Sequence, residues 1–328
     1  MPRQSSLAKL TQPRLFGVAG RVRLHDQLDK ERASHPVVWI VGPPGAGKTT
    51  LVTSYLDARE LPVIWYQVDS GDSDLATFFY YMGLAGRAAA KRKRLILPLL
   101  TPEYLSDLPG FTRRFFRNLF STVSEPPILV LDNYQEVIPG SVFHTVIDVV
   151  ISELPLGYSL IAISRTDPPP QLARALANNL IGQINWNDLR LTLEETKAIV
   201  AATGLLESTE ETLTLLQEQT NGWIAGLVLM IERFKETGAI NHTYQSETMG
   251  TVFNYFTGQV FEQLSEEMRE FLMRTAILSH MTIRTAAEMG KSPKAREWLN
   301  YLYRRKLFTD RRIGDDEISY QYHALFRE

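Results

Sequence analysis

Residues Gly42, Pro43, Pro44, Gly45, Ala46, Gly47, Lys48 and Thr49 read G-P-P-G-A-G-K-T, and a second threonine, Thr50, follows directly. Glycines at this spacing let the backbone take positive φ and turn successive N–H groups toward one anionic oxygen cluster. The chemistry implied is the cradling of the phosphates of a purine triphosphate. Lys48 is placed to reach the β- and γ-phosphates, and Thr49 to offer its hydroxyl to Mg²⁺. The flanks suit that use. An apolar run, Val37 to Val41, reads as a strand ending at the loop, and Thr49 to Leu56 reads as a helix whose N-terminal partial charge attracts anions.

A second set of residues fits the same reaction. Ile128-Leu129-Val130-Leu131-Asp132 is an apolar strand ending in a carboxylate, which is what holding Mg²⁺ opposite Thr49 requires. The next residue is Asn133, where fast ATPases usually carry a second acid to orient or deprotonate the attacking water. An amide orients but cannot accept the proton, so slow turnover is expected. Glu136, a few residues on, is a candidate substitute for that acid, against the favoured reading of a solvated loop carboxylate. A further strand, Ser159 to Ile163, ends in Ser164-Arg165. Arg165 is a candidate sensor of the γ-phosphate, against the alternative of a surface arginine at a strand end. Lys48, Asp132 and Arg165 are thus the residues expected to serve catalysis, and Thr49 and Asp132 to hold the metal. The basic run Lys91-Arg92-Lys93-Arg94 lacks interleaved aromatics and reads as a solvated face rather than a nucleic-acid site. The six histidines show no metal-ligand spacing, and spacing alone gives His323 no special role.

These residues need a scaffold, and the chain supplies the pattern of one. Apolar runs at Val63 to Val68, Ile128 to Leu131 and Ser159 to Ile163 alternate with helix-like segments, the signature of a parallel sheet covered on both faces. An amphipathic stretch, Gly20 to Lys30, precedes it. Beyond about Leu191 strand signals nearly vanish, and Thr192 with Glu195 forms a capping-box start to a helical region. From Thr251 the chain reads as helices through Leu278 and near Lys294 to Arg305, then a turn around Gly314 and a strand at Ile318 to Tyr322. Helices followed by a small hairpin suggest a winged helix. The expected division is a leading segment over residues 1–30, a nucleotide domain over 31–190, a helical domain over 191–250 and a winged-helix domain over 251–328. At 328 residues there is length enough for several cores. Apolar residues make up 44%, charged residues 22%, and the net charge of -2 gives no global attraction to nucleic acid or to an anionic membrane. With no cysteine, disulfides, thiolate metal sites and thiol nucleophiles are excluded. No apolar stretch approaches the roughly 20 residues that span a bilayer, so a cytoplasmic location without membrane contact is expected.

Together the motifs resemble the MalT-like, LuxR-associated branch of the STAND signal-transduction ATPases. The likeness runs through GPPGAGKTT from Gly42, WYQVDSGDSDLATFFYYM from Trp65, LVLDNY from Leu129, SRTDPPPQLARAL from Ser164, DLRLTLEE from Asp188 and TNGWIAGLVL from Thr220. FLMRTAIL from Phe271 and YQYHALFRE from Tyr320 resemble the same family's winged helix. The resemblance implies a fold of class α/β, an ASCE or AAA-like P-loop NTPase sheet followed by helical and winged-helix domains. It implies a switch that is closed around ADP at rest, and that opens and forms a homo-oligomer on exchange to ATP, with slow hydrolysis resetting it. By the same likeness His323 contacts the ADP β-phosphate, and Trp223 lines the adenine pocket or else serves as a core tryptophan. Asn133, and Gln135 where the family commonly has histidine, depart from the usual motif and put hydrolysis in question. The family's C-terminal sensor, through which an inducer or signal protein acts, and its output domain, through which DNA is contacted, are not in this sequence. The alternative from a different class is a motor-type P-loop ATPase acting on DNA or protein.

Overall fold

The computed structural model describes residues 7–15, 19–90, 97–123, 126–203, 209–237, 264–278, 281–304, 309–313 and 318–322. The chain packs as two compact units. One comprises Met1–Phe16, Gly20–Val41 and Lys48–Asn185; the other comprises Gly17–Ala19, Gly42–Gly47 and Trp186–Glu328.

The first unit is built on β1 (Val37–Val41), β2 (Val63–Gln67), β3 (Ile128–Asp132), β4 (Ser159–Ser164) and β5 (Ile181–Ile184). They form one sheet in the order β2-β3-β4-β1-β5, with every pair parallel. In β1, β3 and β4 every residue is buried. That burial explains the continuous β-branched and aliphatic runs: a strand covered on both faces has no polar side to alternate with. Because all five strands run the same way, their carboxyl ends lie along one edge of the sheet, and there the loops that bind ligands are placed in open α/β folds.

Helices α1 (Val22–Ser34), α2 (Lys48–Ala58), α3 (Leu75–Ala89), α4 (Leu108–Thr122), α5 (Val142–Ser152) and α6 (Ala173–Ala177) connect or flank these strands. Their starts are written in short polar signals. Asp74 caps α3 by accepting from the N–H groups of Ala76 and Thr77, Asp107 caps α4 through Gly110, and Ser141 caps α5 through Phe143. The core is strongly aromatic. Phe79 meets Phe111 and Phe115 edge-on at 4.9 and 5.0 Å, and Phe78 meets Tyr66 and Phe143 at 5.3 and 4.9 Å. Such edge-to-face contacts add roughly 0.5–1.5 kcal/mol each beyond the area they bury.

The second unit is mostly helical: α7 (Trp186–Leu189), α8 (Leu193–Ala202), α9 (Glu210–Thr220), α10 (Ile224–Thr237), α11 (Glu266–Thr275), α12 (Ile283–Gly290) and α13 (Ala295–Arg304). The predicted capping box is present, with the Thr192 hydroxyl accepting from the Glu195 N–H and the Glu195 carboxylate from the Thr192 N–H. Between α9 and α10 the chain turns through left-handed Asn221 and Gly222, whose φ is +74°. A methyl group at Gly222 would stand 2.8 Å from the Leu191 nitrogen, so both the conformation and the space call for glycine. Three short strands, β6 (Met281–Thr282), β7 (Thr309–Ile313) and β8 (Ile318–Tyr322), pair antiparallel in the order β6-β8-β7 beside α11 to α13. The core here, Met268, Phe271, Leu272, Leu299, Leu302, Tyr320 and Tyr322, is that of a winged helix. The fold class is therefore α/β with a winged-helix domain following. Among the described residues no helix is long and apolar enough to cross a membrane.

Candidate P-loop nucleotide site

The glycine-rich loop leaves β1 and enters α2, and its backbone takes the shape the sequence demands. Gly45 and Gly47 sit at φ +71° and +75°. The helix begins at Lys48, one residue earlier than the periodicity suggested. Within the second unit the loop is held from outside by the start of α10. The Trp223 indole N–H donates to the Pro44 carbonyl at 2.9 Å, and the Ala225 N–H donates to the Gly45 carbonyl at 3.1 Å. With two loop carbonyls engaged, the peptide planes of that stretch are fixed, which is the preorganisation an anion-binding turn requires. A methyl at Gly45 would lie 2.5 Å from the Ala225 Cβ, and one at Gly47 would lie 2.7 Å from Ile224 Cδ1. Trp223 is 1% exposed. The role of Ala225 was not legible, because a backbone N–H leaves no trace in residue type.

Within the first unit, Lys48, Thr49, Asp132 and Arg165 converge at the carboxyl end of the sheet. The Thr49 hydroxyl donates to Asp132, 3.1 Å from Oδ1 and 3.3 Å from Oδ2. Asp132 is 4% exposed and also accepts the Asn133 N–H at 2.9 Å. Burial pushes its carboxyl pKa up, while the Thr49 hydroxyl, the Asn133 N–H and the Lys48 charge pull it back. A cation set beside this carboxylate relieves the cost of burying it. Lys48 is displaced more. Burial first, and then the Arg165 charge, lower its ammonium to about 7, with Asp132 opposing. An ammonium so disfavoured by desolvation is stabilised by an incoming anion.

The residues present fit a magnesium nucleotide. A hydroxyl and a carboxylate are hard oxygen donors, and Mg²⁺ is usually held by one or two such groups plus phosphate oxygens rather than by a protein cage. Among the described residues no cluster of three or more His, Cys, Asp or Glu side chains forms such a cage. Asn133 takes a left-handed conformation at φ 59°, which asparagine tolerates. Glu136 is exposed and is approached at 3.0 Å by the Gln135 amide, as expected of a solvated loop carboxylate. His323 and the basic run Lys91 to Arg94 lie outside the described residues.

A parallel sheet of this order, with a glycine-rich loop and a hydroxyl–carboxylate pair at its carboxyl edge, defines a P-loop ATPase fold. A solved Walker-type ATPase of Pyrococcus abyssi has the same fold, with a TM-score of 0.62, 15% identity, and 94% of this chain and 95% of that one covered. The MalT winged helix domain family matches residues 257–328. The HTH-type transcriptional regulator MalT of Serratia proteamaculans is 24% identical over 325 residues, covering 97% of this chain and 35% of that protein. The regulator of the same name in Vibrio cholerae is 25% identical over 331 residues, covering 98% of this chain and 36% of its own length. The chain is thus similar to MalT-type regulators over nearly its whole length, has a P-loop ATPase fold, and matches the MalT winged helix over residues 257–328. It spans about a third of the length of these relatives.

Proposed function

We propose that the chain is the ATP/ADP-binding switch module of a transcription regulator of the STAND class. The observation that carries this reading is the convergence of Lys48, Thr49 and Asp132 beside a neutral Asn133. Lys48 binds phosphate oxygens. Thr49 and Asp132 hold the metal, and Arg165, close enough to depress the Lys48 ammonium, reads the γ-phosphate. Mg²⁺ held by Thr49 and Asp132 would supply charge neutralisation to the phosphates. Asn133 orients a water without taking its proton, so hydrolysis is slow and serves to reset the module rather than to drive work. MalT-type relatives are transcriptional regulators, which favours a regulatory use of this chemistry over a motor.

In this reading ADP and ATP select different states, and the nucleotide's differential affinity sets their populations. His323, from the winged-helix domain, contacts the β-phosphate of ADP, and Trp223 holds the loop that lies against it. The purified protein should carry ADP, and His323→Ala should speed its release. Release is followed with a fluorescent ADP analogue chased by unlabelled ADP. An empty protein, together with unchanged release in the variant, would overturn the reading. Inducer, DNA and self-association belong to the same proposal, the first two through regions of a longer chain. An organism's signal is thus converted into a nucleotide exchange before it reaches DNA.

A further inference from the structure

The residue pattern assigns no role to Gln135, yet its side chain bridges two elements of the site. Gln135 lies in the single 3₁₀ turn Tyr134–Glu136 that follows β3. The β3–β4 ladder ends at the pairing of Leu131 with Ala162. Beyond that rung the backbone of β4 has no β3 partner, although its other edge still pairs, Ser164 with Val41 of β1. Gln135 replaces the missing rung. Its Oε1 accepts the Arg165 N–H at 3.0 Å, one residue past the end of β4. Its Nε2 stands 3.5 Å from the Asn133 Oδ1 and 3.0 Å from the Glu136 carboxylate. One amide therefore links the residue after Asp132 to the backbone of the candidate γ-phosphate sensor.

The remainder of the β4 exit is pinned in the same way. The Thr166 N–H donates to the Ser164 hydroxyl at 3.0 Å, and the Thr166 carbonyl accepts from the Trp39 indole at 2.9 Å. These bonds hold Thr166, whereas the Gln135 bond holds Arg165 itself. A guanidinium on a long flexible stem reads a phosphate well only if its backbone is fixed, because each uncertain ångström at the Cα is carried to the fork.

We propose that Gln135 is a positioning residue for γ-phosphate recognition: by accepting the Arg165 N–H it sets the guanidinium where ATP is distinguished from ADP. The assignment rests on the nucleotide-switch reading above and deepens it. It predicts a selective defect, because ADP lacks the group that Arg165 reads, so losing the bond costs ATP affinity and spares ADP. A residue with only a structural role would weaken both nucleotides or neither.

The test measures dissociation constants for ADP and for a non-hydrolysable ATP analogue, both with Mg²⁺, by calorimetry. Wild type, Gln135→Met, Arg165→Ala and the double variant are compared, with the unfolding midpoint of each recorded without nucleotide. Gln135→Met should weaken the ATP analogue by roughly fivefold, the usual scale of one lost hydrogen bond, and leave ADP within about twofold. In the Arg165→Ala background it should have no further effect, because the group it positions is gone. Gln135→Ala should repeat the result and stands in if the methionine variant folds poorly. Equal loss for both nucleotides, no loss for either, or additivity with Arg165→Ala overturns the assignment while leaving the switch reading intact. Failure of the wild type to bind either nucleotide overturns both.

Discussion

Lys48 is the phosphate-reaching side chain of the loop, and its surroundings change its chemistry. Burial, and then the Arg165 charge, lower its ammonium from 10.5 to about 7. Between those values the unfolded chain binds more protons, so the stability of the nucleotide-free protein rises with pH through that window. An anionic nucleotide favours the charged ammonium and raises its pKa, so binding at pH 8 takes up a proton. Titration of ADP in HEPES and in Tris, which differ in ionisation enthalpy, should give enthalpies differing by up to about one proton's worth, and Lys48→Met should abolish the difference. Affinity should also fall as pH rises from 7 to 9. At Thr49 the expected defect is in metal use. Thr49→Ala removes the hydroxyl donated to Asp132, and Mg²⁺ should then strengthen ATP binding by about tenfold less than in the wild type, read from titrations with and without the metal. Lys48, Thr49 and Asp132 were all legible because glycine spacing, a cation and a strand-end acid form a pattern tied to one chemistry. Gln135 was visible only as a departure from that pattern, because an amide bonded to a backbone N–H leaves no periodic or spacing signal. His323 and Trp223 were reached through resemblance alone.

The strands that carry the site were readable at the level of elements because β1, β3 and β4 are buried along their whole length and apolar except at the ends of β3 and β4, which is what burial on both faces imposes. β5 escaped notice. Its four residues, Ile181 to Ile184, include Gly182 and an exposed Gln183, so the apolar run is broken although the strand pairs fully with β1. A methyl group at Gly182 would run into the side chains of Glu31 in α1 and of His35, which caps that helix, a tertiary constraint that no local pattern contains. The start of α8 was legible, since its capping box is spelled out in Thr192 and Glu195. Thr192→Ala should lower the stability of the second unit by about 1 kcal/mol in urea titration. Gly222→Ala should be worse, by roughly 1–3 kcal/mol on the same measurement, because its left-handed backbone and the nearby Leu191 main chain both oppose a side chain. Since the Trp223 and Ala225 bonds to the loop follow directly on that turn, Gly222→Ala should weaken ADP binding as well.

For the whole molecule, a switch requires that ATP and ADP stabilise different states by unequal amounts. Moving a population from 1:99 to 99:1 needs a differential affinity of about 10⁴-fold, more than one arginine or one histidine supplies. Several modest contributions must then combine, and those proposed are Arg165 set by Gln135 on the ATP side and His323 on the ADP side. The α/β sheet was foreseeable as architecture from the apolar runs alternating with helix-like segments before about Leu191, and the winged helix from helices followed by a small hairpin beyond Thr251. The proposed consequence of nucleotide exchange was implied by the family resemblance alone, because no periodicity or spacing marks a second state. The most direct measurement is sedimentation velocity of the chain with Mg²⁺ and saturating ADP, compared with a non-hydrolysable ATP analogue. The account predicts a monomer in ADP and a larger assembly in the analogue, lost in Lys48→Met. The same sedimentation coefficient in both nucleotides, with binding of both confirmed by calorimetry, would contradict it.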